Sequence, residues 1–103
     1  MSRSYNQKLP REWVSHARVF TALGDENRQR ILLMFERGES LTIRDIVQAS
    51  PLSQTAVMHH LRVLRDAEVL TETKDGRSVY LRPNTKVVAG AMQGVLSYIR
   101  EHL

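Results

Sequence analysis

The chain has 103 residues, the length of one small domain, with 15 Lys plus Arg against 11 Asp plus Glu and a formal net charge of +4. It contains no cysteine, which excludes disulfides, thiolate metal sites and thiol redox switches. The 42% hydrophobic, 25% charged composition suits a folded globular chain, no run approaches the ~18 apolar residues of a membrane span, and Met1 to Tyr5 has no apolar segment of signal-peptide type, so the expected compartment is the cytoplasm.

In chain order, residues 1–9 read as a flexible N-terminal arm and the rest as a single domain. A first helix opens near Pro10, with Trp13, Val14, Ala17 and Phe20 in one apolar stripe, and breaks at Gly24. Asp25 caps a second helix that carries Ile31, Leu32, Met34 and Phe35 and stops at Gly38. That run is apolar almost all round, which predicts a central helix. Thr42 caps a short third helix, with Asp45 three residues on as the acidic partner of a capping box, and Ser50-Pro51 ends it. Ser53 caps a fourth helix. Val57, Leu61 and Leu64 form its core stripe; Gln54, Thr55, Met58, His59 and Arg62 lie on the other side.

Two helices joined by a short turn, the second showing polar and cationic groups and no carboxylate, form the pattern of a helix-turn-helix DNA reader. Strand formers follow at Val69 to Thr73 and again at Ser78 to Arg82, with the hairpin signal Asp75-Gly76 between them. A hairpin at that place, with Lys74 and Arg77 at its tip, is a wing. The last helix runs from Asn84 or Thr85 to near Leu103, with Val87, Val88, Ala91, Met92, Val95, Leu96 and Ile99 as a wide apolar face. Gly90, Gly94 and Ser97 form a small-residue edge that lets another helix approach closely. The predicted architecture is mainly α with a β-hairpin: about five helices plus a two-stranded wing, 84–103 being a C-terminal dimerisation helix.

Three blocks in this order resemble the ArsR/SmtB family of bacterial dimeric repressors. They are Ala22 to Leu32 (Ala-Leu-Gly-Asp-Glu-Asn-Arg-Gln-Arg-Ile-Leu), Leu52 to Arg65 (Leu-Ser-Gln-Thr-Ala-Val-Met-His-His-Leu-Arg-Val-Leu-Arg) and the wing Asp75 to Tyr80. The resemblance spans about residues 13–100. The chain departs from the family pattern at Glu26, where proline is frequent, near Pro51, where glycine is frequent, and at Met58, where serine is usual. A methionine makes no strong hydrogen bond but packs on a thymine methyl, which implies a shifted base preference.

The resemblance implies a homodimer that binds double-stranded DNA, with a palindromic operator, as a transcriptional regulator of repressor type. The expected DNA contacts are Arg44, Ser53, Gln54, Thr55, Met58, His59, Arg62, Lys74 and Arg77. Arg62 or Arg65 would hold phosphate, while Arg28, His60 and, as an alternative, Arg65 read as structural. The expected dimer surface is Trp13, Val14, Ala17, Phe20, Met92, Val95, Leu96 and Ile99. Their mating would set two recognition helices about one DNA turn, ~34 Å, apart. No cofactor or metal is expected. The family's cysteine sites need residues this chain lacks, and its last-helix zinc positions fall on Asn84, Lys86, Ser97 and Arg100. His16 and His102 would at most make a weak histidine site across the dimer. The competing reading is a winged-helix protein-interaction module without DNA binding; an enzyme finds no Gly-rich phosphate loop, cysteine nucleophile or His-x-x-x-His pair to build on. Neither operator nor inducer is legible.

Overall fold

The computed structural model describes Tyr5 and residues 8–103; most of the expected N-terminal arm lies outside the described residues. Eight elements follow in order: α1 (Arg11–Leu23), α2 (Glu26–Leu32), β1 (Leu41–Thr42), α3 (Ile43–Ala49), α4 (Gln54–Asp66), β2 (Leu70–Asp75), β3 (Ser78–Pro83) and α5 (Thr85–His102).

Local chemistry places most of the boundaries. Asp25 caps α2 by accepting the N–H groups of Asn27 and Arg28 at 2.8 and 3.2 Å. Thr42 and Asp45 close a full capping box on α3, both bonds at 3.0 Å. These bonds to the charged form hold both carboxyls below the ordinary aspartate range, led in each case by a backbone N–H, that of Arg28 for Asp25 and of Thr42 for Asp45. Ser53 caps α4 through the Ala56 N–H. At the other end of α4, Val69 N–H returns to the Leu64 carbonyl and Glu68 N–H to the Arg65 carbonyl, a Schellman motif. Its left-handed position is Glu68, at φ 62°, where glycine is the usual residue.

The second helix is shorter than the apolar run implied. α2 ends at Leu32, and the bonds Met34 N–H to Ile31 and Phe35 N–H to Leu32 tighten the chain into a turn that brings Leu41 back to the sheet. Ile31 is buried, but Leu33 is 82% exposed, so this segment is not the all-round buried helix its composition suggested.

The wing also gains a strand. β1 pairs antiparallel with β3 (Leu41 opposite Leu81, Thr42 opposite Tyr80), giving a three-stranded sheet in the order β1-β3-β2. In the hairpin, Asp75 pairs with Ser78, so the two-residue loop is Gly76-Arg77. Gly76 has φ 62° and Arg77 does not share it, the type II′ pattern with glycine first. Asp75 therefore closes the ladder, and Gly76 opens the loop.

The core sits where α1, α2, α3 and the inner face of α4 meet the base of the sheet. Val19, Ala22, Ile31, Ile46, Val57, Leu61, Leu64, Val69, Leu70 and Leu81 are each at most 3% exposed. α1 enters this core through Val19 and Ala22, not through the Trp13-Val14-Ala17-Phe20 stripe, whose members lie outside it. Among the described residues, no helix is long and apolar enough to cross a membrane.

Candidate nucleic-acid interface

The core stripe of α4 fixes which way its other side points. Val57, Leu61 and Leu64 are fully buried, so Gln54, Thr55, His59 and Arg62 face outward, with Met58 half-buried at their edge. Gln54, Thr55, Met58, His59 and Arg62 line a single shallow concavity. The structure thus brings together five of the nine side chains that the sequence marked for DNA contact. The first turn of α4 adds the amides of Gln54 and Thr55, which have no intrahelical partner. Ser53 is exposed beside them; its oxygen accepts the Ala56 N–H at 3.1 Å and its own O–H remains to donate outward.

The remaining candidates stand apart. Arg44 is exposed on the first turn of α3, and Lys74 and Arg77 are exposed at the wing tip, where every residue from Thr71 to Ser78 faces solvent. The choice between the arginines Arg62 and Arg65 follows from their neighbours. Arg65 pairs with Glu72 and ties the end of α4 to β2, whereas Arg62 lines the open concavity. Arg28 and His60 lie behind the face: the Arg28 guanidinium donates to the carbonyls of Ala22 and Thr21 and meets the His60 ring. Arg82, at the far end of the wing, donates to the Gly38 carbonyl at 3.3 Å.

A second exposed surface has the opposite character. Among the described residues, apart from the terminal Tyr5, Leu9 and Leu103 and from Leu33, every exposed large hydrophobic side chain belongs to α1 or α5: Val14, Phe20, Met92, Leu96, Tyr98 and Ile99. Trp13 packs edge-on against Tyr98 at 5.4 Å between ring centroids, joining the two helices within one chain. The sequence reading missed Tyr98. It falls between Val95 and Ile99 in number but turns off their stripe, and its signal was the aromatic spacing to His102, four residues on, with which it stacks at 4.7 Å.

The small-residue edge of α5 has a specific tenant at one position. A side chain on Gly94 would overlap the His16 ring of α1, while around Gly90 there is open space. The helix that approaches Gly94 is therefore the chain's own α1. His16 is committed to this seat and to the Trp13 ring, and His102 lies against Tyr98 with Glu101 3.8 Å away. Among the described residues no three histidine or carboxylate side chains group as a metal site would require. Of the positions that correspond to the family's zinc ligands, Asn84 caps α5 by accepting the Val87 N–H, and Lys86, Ser97 and Arg100 are exposed.

Helix, helix, helix-turn-helix, hairpin and closing helix define a winged helix-turn-helix protein. Residues 25–72 match the family model described as bacterial regulatory protein, arsR family. The chain is 31% identical over 83 residues to the transcriptional repressor SdpR of Bacillus subtilis, covering 81% of this chain and 91% of that one. It is 32% identical over 96 residues to an arsenic resistance transcriptional regulator of Pseudomonas putida, covering 90% and 75%. The chain belongs to the ArsR family of bacterial regulators. In structure it is similar to an ArsR-like transcriptional regulator from a Rhodococcus species (TM-score 0.79, 25% identity, 86% and 83% covered). It shares its fold with the homodimeric winged helix-turn-helix DNA-binding domain of a Mycobacterium bovis protein (TM-score 0.66, 24% identity, 96% and 94% covered).

Proposed function

We propose that the chain is a homodimeric, sequence-specific DNA-binding repressor. The observation that carries this reading is the outer face of α4. It gathers two amide or hydroxyl side chains, a histidine, a methionine and an arginine into one concavity, with no carboxylate among them. In the bound state Gln54 and His59 read base edges and Met58 packs on a thymine methyl. The first turn of α4, with Ser53 and Thr55, takes a phosphate. Arg62 neutralises the backbone beside the groove, Arg44 reaches it from α3, and Lys74 and Arg77 grip the flanking DNA from the wing. Two copies mate through Trp13, Val14, Ala17, Phe20, Met92, Val95, Leu96 and Ile99. This joins two α4 helices for a palindromic operator. The exposed apolar side chains of α1 and α5 support that part of the reading. The work of such a regulator is done inside the cell, on the chromosome.

The test is a titration of labelled operator-sized fragments, preferred and random, against salt. Affinity should fall by ~10³ or more between about 50 and 200 mM salt if six or more phosphates are held. Arg77→Ala should weaken all sequences alike, and Gln54→Ala should cost ~1–3 kcal/mol on the preferred site alone. Equal losses on preferred and random DNA for Gln54→Ala would remove its base-reading role. No retention of any fragment at about 50 mM salt would remove the DNA-binding reading altogether.

A further inference from the structure

Arg28 joins three helices from one side chain. Its Nε donates to the Ala22 carbonyl at 2.6 Å and its Nη2 to the Thr21 carbonyl at 3.2 Å, both at the C-terminal end of α1. Its Nη1 stands 3.2 Å from Nδ1 of His60, in the middle of α4. A guanidinium has five N–H donors, no acceptor, and keeps its proton in proteins. Nδ1 of His60 must therefore accept, which leaves the ring neutral with its single proton on Nε2. His60 is half-buried and adjoins Leu61, which is fully buried, on one side and His59, which faces the concavity, on the other. The bond thus ties α4 to the α1–α2 corner at the turn that carries the outward face.

Protonating His60 would place a donor on each ring nitrogen and a cation against the Arg28 cation. The other charged groups around it are few. At the start of α2, Asp25 is close enough to feel a charge on His60; the Asn27 and Arg28 amides hold it ionised, so it attracts that charge and offsets part of the Arg28 repulsion. α1 presents carbonyl oxygens at this corner. On α4 itself, the exposed His59 ring is 5.6 Å away. The acid on β2, Glu72, is paired with Arg65, and Asp45 of α3 is held in its own capping box.

We propose that Arg28 and His60 are positioning residues for the DNA-reading helix, and that this seat holds only while His60 is neutral, so that mild acid loosens α4 and erodes sequence preference. The functional part rests on the DNA-binding reading above; the seat itself does not. The decisive variant is His60→Gln, which keeps an acceptor for Arg28 and cannot be protonated in this range. The quantity to measure is the ratio of affinities for preferred and random DNA at pH 8 and at pH 5.5. His59, placed above on base edges, is present in both chains, so any change its protonation makes in the ratio appears in both, and the difference between them is the readout.

For the unaltered chain the ratio should fall about tenfold, the order expected when a hydrogen bond to a charged group is lost. For His60→Gln it should change only by what protonation of His59 contributes. A flat ratio in the unaltered chain, or an equal fall in His60→Gln, would overturn the proposal. Nitrogen NMR of the unaltered chain tests the seat without DNA. The His60 ring should carry its proton on Nε2 at pH 8 and become doubly protonated together with shifts in the Thr21 and Ala22 signals. A proton on Nδ1 at pH 8 would overturn the proposal even if every DNA measurement failed; failure to bind any DNA at any pH would count against the DNA-binding reading alone.

Discussion

Two helices of this chain, α4 and α5, are built to different ends. α4 has 13 residues and buries three of them completely, Val57, Leu61 and Leu64, so its rotation about its own axis is set by the protomer's own core. α5 has 18 residues and buries only Ala91, while Met92, Leu96, Tyr98 and Ile99 remain 38–45% exposed. On the proposed reading α4, finished by its own chain, turns its polar side to DNA, and α5, open on its apolar side, takes a second copy of the chain. Burial separates the two roles where composition does not, since both helices are amphipathic and neither carries an acid in its first turn.

That contrast can be broken at either helix. Leu61→Ala empties a fully buried site on α4 and should cost ~2–5 kcal/mol, read as a lower urea midpoint at unchanged slope. The double change Leu96→Glu with Ile99→Glu touches only exposed positions and should leave the chain folded. It should sediment at 11.8 kDa instead of twice that, and should lose about 10²-fold in affinity for a two-half-site operator. If it binds as tightly as the unaltered chain, α5 is not the coupling surface.

Finer changes sharpen the same comparison within α5. Gly94→Ala displaces the far end of the His16 side chain from its seat and should cost ~1 kcal/mol of stability, the lost ring packing outweighing alanine's better helix propensity. Gly90→Ala meets open space on an exposed turn and should gain up to ~1 kcal/mol. The opposite signs, read as melting temperatures on the two variants, test whether the small-residue edge serves one contact or two. The smallest effect belongs to α4. Glu68→Gly relieves the left-handed residue of its Schellman motif and should stabilise by about 0.5 kcal/mol, the residual after glycine's extra freedom in the unfolded chain is offset.

Signals contained in a few adjacent residues were legible in the sequence. Thr42 with Asp45, Ser53 with its following turn, Pro51 and Gly76 each act on their own neighbours, and each boundary fell where the local chemistry put it. The face of α4 was legible for a related reason: a core stripe of three residues determines the opposite side. Features that depend on a distant partner were not. Leu41–Thr42 is a strand only because β3 lies beside it, and two residues carry no periodicity. The five-residue apolar run Ile31 to Phe35 looked like continuous helix, yet the return to β1 turns the chain at Leu33. The apolar stripe of α1 was found, but the side that α1 buries was not. Val19 and Ala22 enter the core because α2 and α4 pack on that side, which spacing within α1 alone does not encode. His16 against Gly94 and Arg28 against His60 are pairs far apart in the chain, and no local pattern announces either.

The central claim is that the apolar surface of α1 and α5 couples two copies so that two α4 faces read DNA together. Selection of bound fragments from a random pool tests it most directly. The account predicts an inverted repeat whose half-sites are centred about one helical turn, ~34 Å, apart, bound by two chains per site. A selected motif consisting of one unrepeated half-site, held by a single 11.8 kDa chain, would contradict it.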